Sequence, residues 1–162
     1  MRQQTTRSLR LAAIVLLCAM PILSCSGKRP SSVGVANAAL APCPSSPNCV
    51  SSEAGDASHR VEAFALAAPP DVAWRVIRKE VARMPRTILV EATADRLHAE
   101  CRSVLFGFVD DLELRLRAAD GVVAVRSASR VGHSALGVNR RRGERLRESL
   151  RARDVVRCAA PR

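Results

Sequence analysis

A stretch of alternating residues in the second half of the chain restricts the fold more than any other feature. Between Phe108 and Arg117, leucines alternate with charged residues. Asp120-Gly121 then gives a strong hairpin-turn signal, and the partner strand is predicted from Val122 to Arg130. A period of two is typical of a strand with one apolar and one polar face. The region therefore predicts an antiparallel hairpin.

Further strands and two helices are predicted around this hairpin. Strands are expected at 60–66, 87–93 and 97–103, the last with strict alternation. One helix is expected from the prolines at 69–70 to the residue before Pro85, since proline suits a first helical turn. A second is expected over 139–153, with Asn139 as its N-cap. The order β-α-β-β-β-β-α predicts an α+β fold, an antiparallel sheet of about five strands with two helices on one face.

The length of 162 residues fits one folded domain, with segments outside it. We expect a signal peptide over residues 1–24 and a tether with a Cys/Pro-rich N-terminal loop over 25–57. The α+β domain is expected over 58–157 and a short tail over 158–162.

The N-terminus has the organisation of an export signal. Three arginines precede an apolar run of 13 residues from Leu11 to Leu23, and a small residue follows. A basic region, a short apolar region and a small residue define a secretory signal. A membrane span needs about 20 residues, so a permanent transmembrane helix is the alternative that fits less well.

The segment Ile22-Leu23-Ser24-Cys25 resembles the bacterial lipobox, in which the cysteine becomes the acylated N-terminus. The resemblance implies a lipoprotein whose Cys25 carries acyl chains such as palmitate and anchors the protein to a membrane. It also implies the periplasmic side of the cell envelope, and Ser26 in place of Asp favours the outer membrane. The alternative is a plain signal peptide in which Cys25 is incidental.

Four cysteines remain for the folded part, and an exported protein can form disulfides. Cys43 and Cys49 lie six positions apart in a proline-rich stretch, which favours a disulfide between them. A metal site there would lack two further ligands at suitable spacing. Cys101 is expected as a buried apolar residue, but a bridge to Cys158 stays open. No metal and no cofactor are predicted.

The formal charge is +11, and it falls to +8 without residues 1–24, which hold three arginines and no acidic residue. A basic surface suggests anionic partners, either a small ligand or an envelope component. The excess of arginine over lysine reflects either coding bias or recognition of carboxylate and phosphate groups. Export and an aromatic content of 2% argue against nucleic-acid binding. We expect a monomer.

Arginines mark the candidate binding surface. Arg140 to Arg142 open the last predicted helix, where cations oppose the helix dipole unless an anion offsets them. Either a bound anion or local carboxylates such as Asp110, Asp111 and Glu144 would offset these positive charges. Two further arginines on the last strand either extend this surface or pair with Glu113 and Asp111. The candidate ligand-binding residues are Arg126, Arg130, Asn139, Arg140 and Arg142.

A second interpretation is acid–base catalysis. His98, Glu100 and Asp111 are the candidate groups, because they lie on the polar faces of neighbouring predicted strands. A His–Glu pair in a strand is more often structural than catalytic. The sequence contains no nucleophile elbow, phosphate-binding glycine loop, zinc-ligand spacing or paired-carboxylate motif. We therefore expect a non-catalytic module that binds an anionic ligand or partner, with an envelope enzyme as the alternative.

Five short blocks, in order from Cys43 to about Leu150, resemble the domain-of-unknown-function family 1499. The blocks are Cys43 to Ser52, Leu97 to Glu100, Phe106 to Asp111, Arg126 to Arg130, and Gly137 to Arg142. The resemblance implies that the acidic and arginine blocks belong to one pattern and meet in space. The chain departs from that pattern at Cys101, His133 and Ala135. At position 135 the family often has an aspartate, which is absent here.

Overall fold

The computed structural model describes residues 27–29, 39–103, 107–133 and 137–157. This part of the chain contains a six-stranded antiparallel sheet and two helices. In chain order the elements are β1 (Cys49–Ser51), β2 (Phe64–Ala65), α1 (Pro70–Arg83), β3 (Thr87–Ala92), β4 (Arg96–Arg102), β5 (Val109–Arg117), β6 (Val122–Ser129) and α2 (Val138–Arg151). The predicted α+β class is confirmed.

The sheet has the order β1-β6-β5-β4-β3, and β2 pairs with β6 beside β1. The central hairpin is the one predicted, with Gly121 at φ 64° in its turn, a conformation that glycine adopts without strain. Strand β1 is additional to the predicted strands. It pairs Cys49 with Ala128 and lies in the segment expected to be the N-terminal loop. The strand expected at 60–66 is reduced to the two residues of β2.

Helix α1 begins and ends where its prolines predict. Pro70 occupies the first turn, and the helix ends at Arg83, before Pro85. Its apolar face is buried and includes Trp74, whose Nε1 donates a hydrogen bond of 3.1 Å to the carbonyl of Thr93.

The strand alternation divides the sheet into two faces. The core face carries alternate residues of β4, β5 and β6, such as Ala99, Leu112 and Val125, which pack against both helices. The opposite face, called the polar face here, carries residues such as His98 and Glu113. Both helices therefore lie on one face, as predicted.

Helix α2 starts one residue earlier than expected. Its N-cap is Gly137, at φ 72°, and the Arg141 N–H donates to the Gly137 carbonyl at 3.0 Å. The prediction that Asn139 caps the helix is wrong, because Asn139 lies within the first turn and is 2% exposed. Leu146 and Leu150 contact the core, and the helix ends at Arg151 rather than Arg153.

Cys43 and Cys49 form a disulfide with a Cα–Cα distance of 5.6 Å, which confirms the predicted bridge. Cys101 is a free, buried thiol on β4. Cys158, to which a bridge was left open by the sequence, lies outside the described residues, as do the signal segment 1–24, Cys25 and Ala135. Among the described helices, neither is long and apolar enough to cross a membrane.

Candidate functional site

Asp110 and Asp111 are consecutive residues of β5, so their side chains lie on opposite faces of the sheet. Each is almost completely buried, and each meets a different arginine. Asp110 pairs with Arg142 of α2 on the core face, at 2.5 Å. Asp111 pairs with Arg130, just after β6, on the polar face. The acidic and arginine blocks therefore meet in space, as the family resemblance implied.

Arg130 is the centre of the polar-face network. Its Nε and Nη2 atoms donate to the two oxygens of Asp111 at 2.9 and 2.7 Å, and Nη2 also donates to Glu100 at 2.7 Å. Arg29 donates to the same oxygen of Glu100 through Nε at 3.1 Å. His98 Nε2 lies 2.7 Å from Asp111 Oδ1. One guanidinium thus holds two carboxylates in a buried, charge-assisted arrangement.

The pKa values of the two carboxyl groups follow from these contacts. Burial raises the pKa of Asp111, but the hydrogen bonds from Arg130 and His98 outweigh it and lower the value to about 2. The hydrogen bond from Arg130 lowers the pKa of Glu100. Both groups are therefore carboxylates at neutral pH, and neither is poised to exchange a proton there.

Arg126 forms the second ion pair of the polar face. Its Nη1 lies 2.7 Å from Glu113, and the two side chains are 7% and 4% exposed. Within the described residues, its Nε is buried without a hydrogen-bond partner. Arg126 and Arg130 therefore form the cross-strand pairs with Glu113 and Asp111 that the sequence allowed as one alternative. They do not share a surface with α2.

Asn139 connects α2 to two other segments, strand β6 and the disulfide loop. Its Nδ2 donates to the carbonyl of Asn48 at 2.8 Å and to Ser129 Oγ at 3.0 Å. Its Oδ1 accepts from Ser127 Oγ at 2.8 Å and from Arg142 Nη1 at 2.5 Å. All four hydrogen bonds are internal, so Asn139 fixes the helix to the sheet and to the disulfide loop.

The fifth candidate, Arg140, lies apart from the others. It is exposed, and its guanidinium donates to the carbonyls of Arg60 and Ser58 at 2.8 and 3.0 Å. The structure thus brings together Asn139 and Arg142, places Arg126 and Arg130 on the opposite sheet face, and leaves Arg140 on the surface.

Arg142 also lines a cavity of about 470 Å³, called the arginine cavity here. It opens between the end of α1, the end of β4 and one side of α2. Five arginines line it: Arg83, Arg86, Arg102, Arg142 and Arg145. Only Arg142 was among the predicted site residues. The other four come from three separate segments, with Arg83 and Arg86 around the end of α1, Arg102 at the end of β4 and Arg145 on α2, so no motif pointed to them.

The charge around this cavity is strongly unbalanced. Glu80 is the one acidic residue among its described lining residues, and it already accepts from Arg83 at 3.2 Å, from Arg153 at 2.8 Å and from Ser149 at 2.6 Å. The hydrogen bond from Ser149, together with those from the two arginines, outweighs burial and lowers the pKa of Glu80. Glu80 is therefore ionised and already paired.

Three arginines of the cavity have no acidic partner. In the described ranges, neither Arg86 nor Arg102 nor Arg145 forms an ion pair with a carboxylate. All 15 acidic side chains of the chain fall within those ranges. The lining therefore includes three arginines whose charge no described carboxylate neutralises, and such groups favour a carboxylate or phosphate ligand.

The candidate catalytic residues lie close together, and all three are buried. His98, Glu100 and Asp111 are 4%, 9% and 1% exposed. His98 bonds to Asp111, and Asp111 and Glu100 both accept from Arg130. None of the three lines the arginine cavity or either of two further cavities among the described residues. Nor does that part of the chain group three or more His, Cys, Asp or Glu side chains suitably for a metal ion.

The family described as "Protein of unknown function (DUF1499)" matches residues 39–150 of this chain. The chain belongs to that family, as its five sequence blocks predicted. The match covers every strand, both helices except the last residue of α2, and all lining residues of the arginine cavity. No curated protein and no solved structure matches the chain.

Proposed function

We propose that this protein is an exported cell-envelope protein, lipid-anchored through Cys25, whose domain binds an anionic ligand or partner without catalysing a reaction. The export signal and the lipobox-like segment support the location, on the periplasmic side and at the outer membrane. The arginine cavity carries the proposal for binding, because three of its guanidinium groups have no carboxylate to neutralise them among the described residues.

The binding surface differs from the one expected from sequence alone. Arg142 belongs both to the surface expected from the sequence and to the arginine cavity, since it lines the cavity while paired with Asp110. Arg126, Arg130 and Asn139 act as scaffold, because each is bonded to buried neighbours: Arg126 to Glu113, Arg130 to Asp111, and Asn139 to the Asn48 carbonyl. The proposed site therefore consists of Arg142 and the four arginines that sequence reasoning missed.

The buried state of His98 and Asp111 supports binding rather than acid–base chemistry. A general base needs access to its substrate's proton, within hydrogen-bond reach or through one water. Here the Asp111 oxygens accept from Arg130 and His98, and the group is 1% exposed. These side chains are better suited to holding β4, β5 and β6 together.

The test is binding of inorganic phosphate and acetate to the chain from Ser26 onward, which contains every described contact. Isothermal titration calorimetry compares the parent with Arg86→Ala/Arg102→Ala/Arg145→Ala. The control, Arg75→Ala/Arg78→Ala/Arg96→Ala, removes the same charge at positions that do not line the cavity. We expect binding in the parent and the control, and at least tenfold weaker binding in the cavity variant. Equal binding by all three proteins would refute the site.

A further inference from the structure

The geometry of the arginine cavity points to a more specific ligand: an anionic amphiphile with one acyl chain and a carboxylate or phosphate headgroup. This inference rests on the proposed function and adds the apolar part of the ligand. It is carried by the combination of an apolar wall and an arginine rim in one cavity.

The wall of the cavity is mainly apolar. Met84 and Pro85, which follow α1, and Val138 and Leu146 of α2 belong to its lining. Cys101 adds a buried thiol from β4, and burial raises the pKa of that thiol, so it stays uncharged. A small inorganic anion would leave this wall in contact with water. A hydrocarbon chain would cover it and gain the free energy of burying apolar surface.

The rim of the cavity is charged and solvated. The Arg83 side chain is 68% exposed, and Arg86, Arg102 and Arg145 are also exposed. Arginine can bury its methylene stem against apolar surface and keep its guanidinium in water. A bound amphiphile would therefore place its chain against Met84 and Leu146 and its headgroup among the rim arginines.

The size of the cavity limits the ligand to one chain. Ligand cavities in proteins span about 300–1,000 Å³. At about 470 Å³ this cavity lies in the lower part of that range, so we assign it one chain rather than the two of a phospholipid. The headgroup chemistry is shared by a free fatty acid and a single-chain phosphate ester, and the experiment separates these two sources.

The experiment is calorimetric titration of the chain from Ser26 onward with acetate, octanoate, decanoate and decyl phosphate below their micelle concentrations. Decanol and decylamine have a similar chain without the negative charge. We expect about fourfold tighter binding for each added methylene until the cavity is filled. Decanol and decylamine should bind at least tenfold more weakly than decanoate, and the tighter of decanoate and decyl phosphate identifies the headgroup.

Variants of Met84 test the wall without changing the rim. Met84→Gln keeps the length of the side chain but makes it polar, and Met84→Leu keeps it apolar. We expect Met84→Gln to reduce the gain per methylene, and Met84→Leu to retain it.

The outcomes separate this inference from the proposed function. Arginine-dependent binding of acetate and phosphate with no gain in affinity from acetate to octanoate overturns the amphiphile and leaves the anion site. Equal binding of decanol and decanoate, unaffected by Arg86→Ala/Arg102→Ala/Arg145→Ala, overturns the charged headgroup. No binding of any anion overturns both.

Discussion

His98 Nε2 lies 2.7 Å from Asp111 Oδ1, and their side chains are 5% and 2% exposed. The same oxygen also accepts a hydrogen bond from Arg130 Nη2 at 2.7 Å. Two strands and the residue that follows a third are therefore tied together at one carboxylate. An ionised carboxylate in such a position contributes to stability as long as it remains charged.

We predict that acid weakens the fold through Asp111. Its pKa falls from 3.8 to about 2 on folding, so its contribution is present above pH 3.8 and is lost as the pH falls towards 2. The loss should amount to about 2 kcal/mol of unfolding free energy. Urea unfolding between pH 5 and pH 2 measures it, and Asp111→Asn should show a flatter pH dependence. Identical slopes for parent and variant would contradict the prediction.

Removing Arg130 should cost far more stability than removing an exposed arginine. Arg130→Ala leaves Asp111 and Glu100 buried without their main cation, and losing one partner of a buried pair costs about 3–5 kcal/mol. The control is Arg75→Ala, since the Arg75–Asp71 pair is 64% and 69% exposed. Such a pair contributes about 0.3–0.5 kcal/mol. Similar midpoints for both variants in urea unfolding would rule out a structural role for the polar-face network.

Asn139 and Arg140 are neighbours in sequence, but replacing them should affect stability to very different extents. Asn139→Ala removes four internal hydrogen bonds and leaves the buried Ser127 hydroxyl and Asn48 carbonyl with fewer partners. We expect it to lower the unfolding free energy by about 1–3 kcal/mol. Arg140→Ala, at an exposed position, should change it by less than about 0.5 kcal/mol. Thermal and urea unfolding of both variants measure these changes. An equal loss of unfolding free energy in the two variants would show that Arg140 also has a structural role.

The disulfide of the N-terminal loop should stabilise the domain modestly. The cysteines are separated by six positions, and closing so short a loop limits the unfolded chain only slightly. We predict that Cys43→Ser/Cys49→Ser lowers the unfolding free energy by about 2 kcal/mol. A reductant should lower the melting temperature of the parent and leave that of the double variant unchanged. A parent insensitive to the reductant would show that the bridge adds no stability.

The strands from β4 to β6 were predictable because each side chain's face follows from its position in an alternating pattern. That pattern also allowed the pairs Arg126–Glu113 and Arg130–Asp111. Strand β1 was not predictable, since three residues are too few to show a period. Its place in the sheet depends on pairing with β6, which is distant in sequence.

Neither the role of Asn139 nor the arginine cavity could be predicted from the sequence of a single segment. A Ser, Thr, Asp or Asn before a helical pattern is a good N-cap signal, but Gly137 takes that position with a positive φ. The amide of Asn139 then bonds to the sheet instead. The cavity is formed by packing α1, β4 and α2 together, and no single segment contains enough of it to be recognised.

The opposite orientation of Asp110 and Asp111 has a mechanical consequence. One peptide bond joins the carboxylate that holds α2 through Arg142 to the carboxylate that holds His98 and Arg130. A shift of β5 by a single residue would exchange both sets of partners and move Leu112 out of the core. The helix layer and the polar face therefore cannot loosen separately, and the domain should unfold as one cooperative unit.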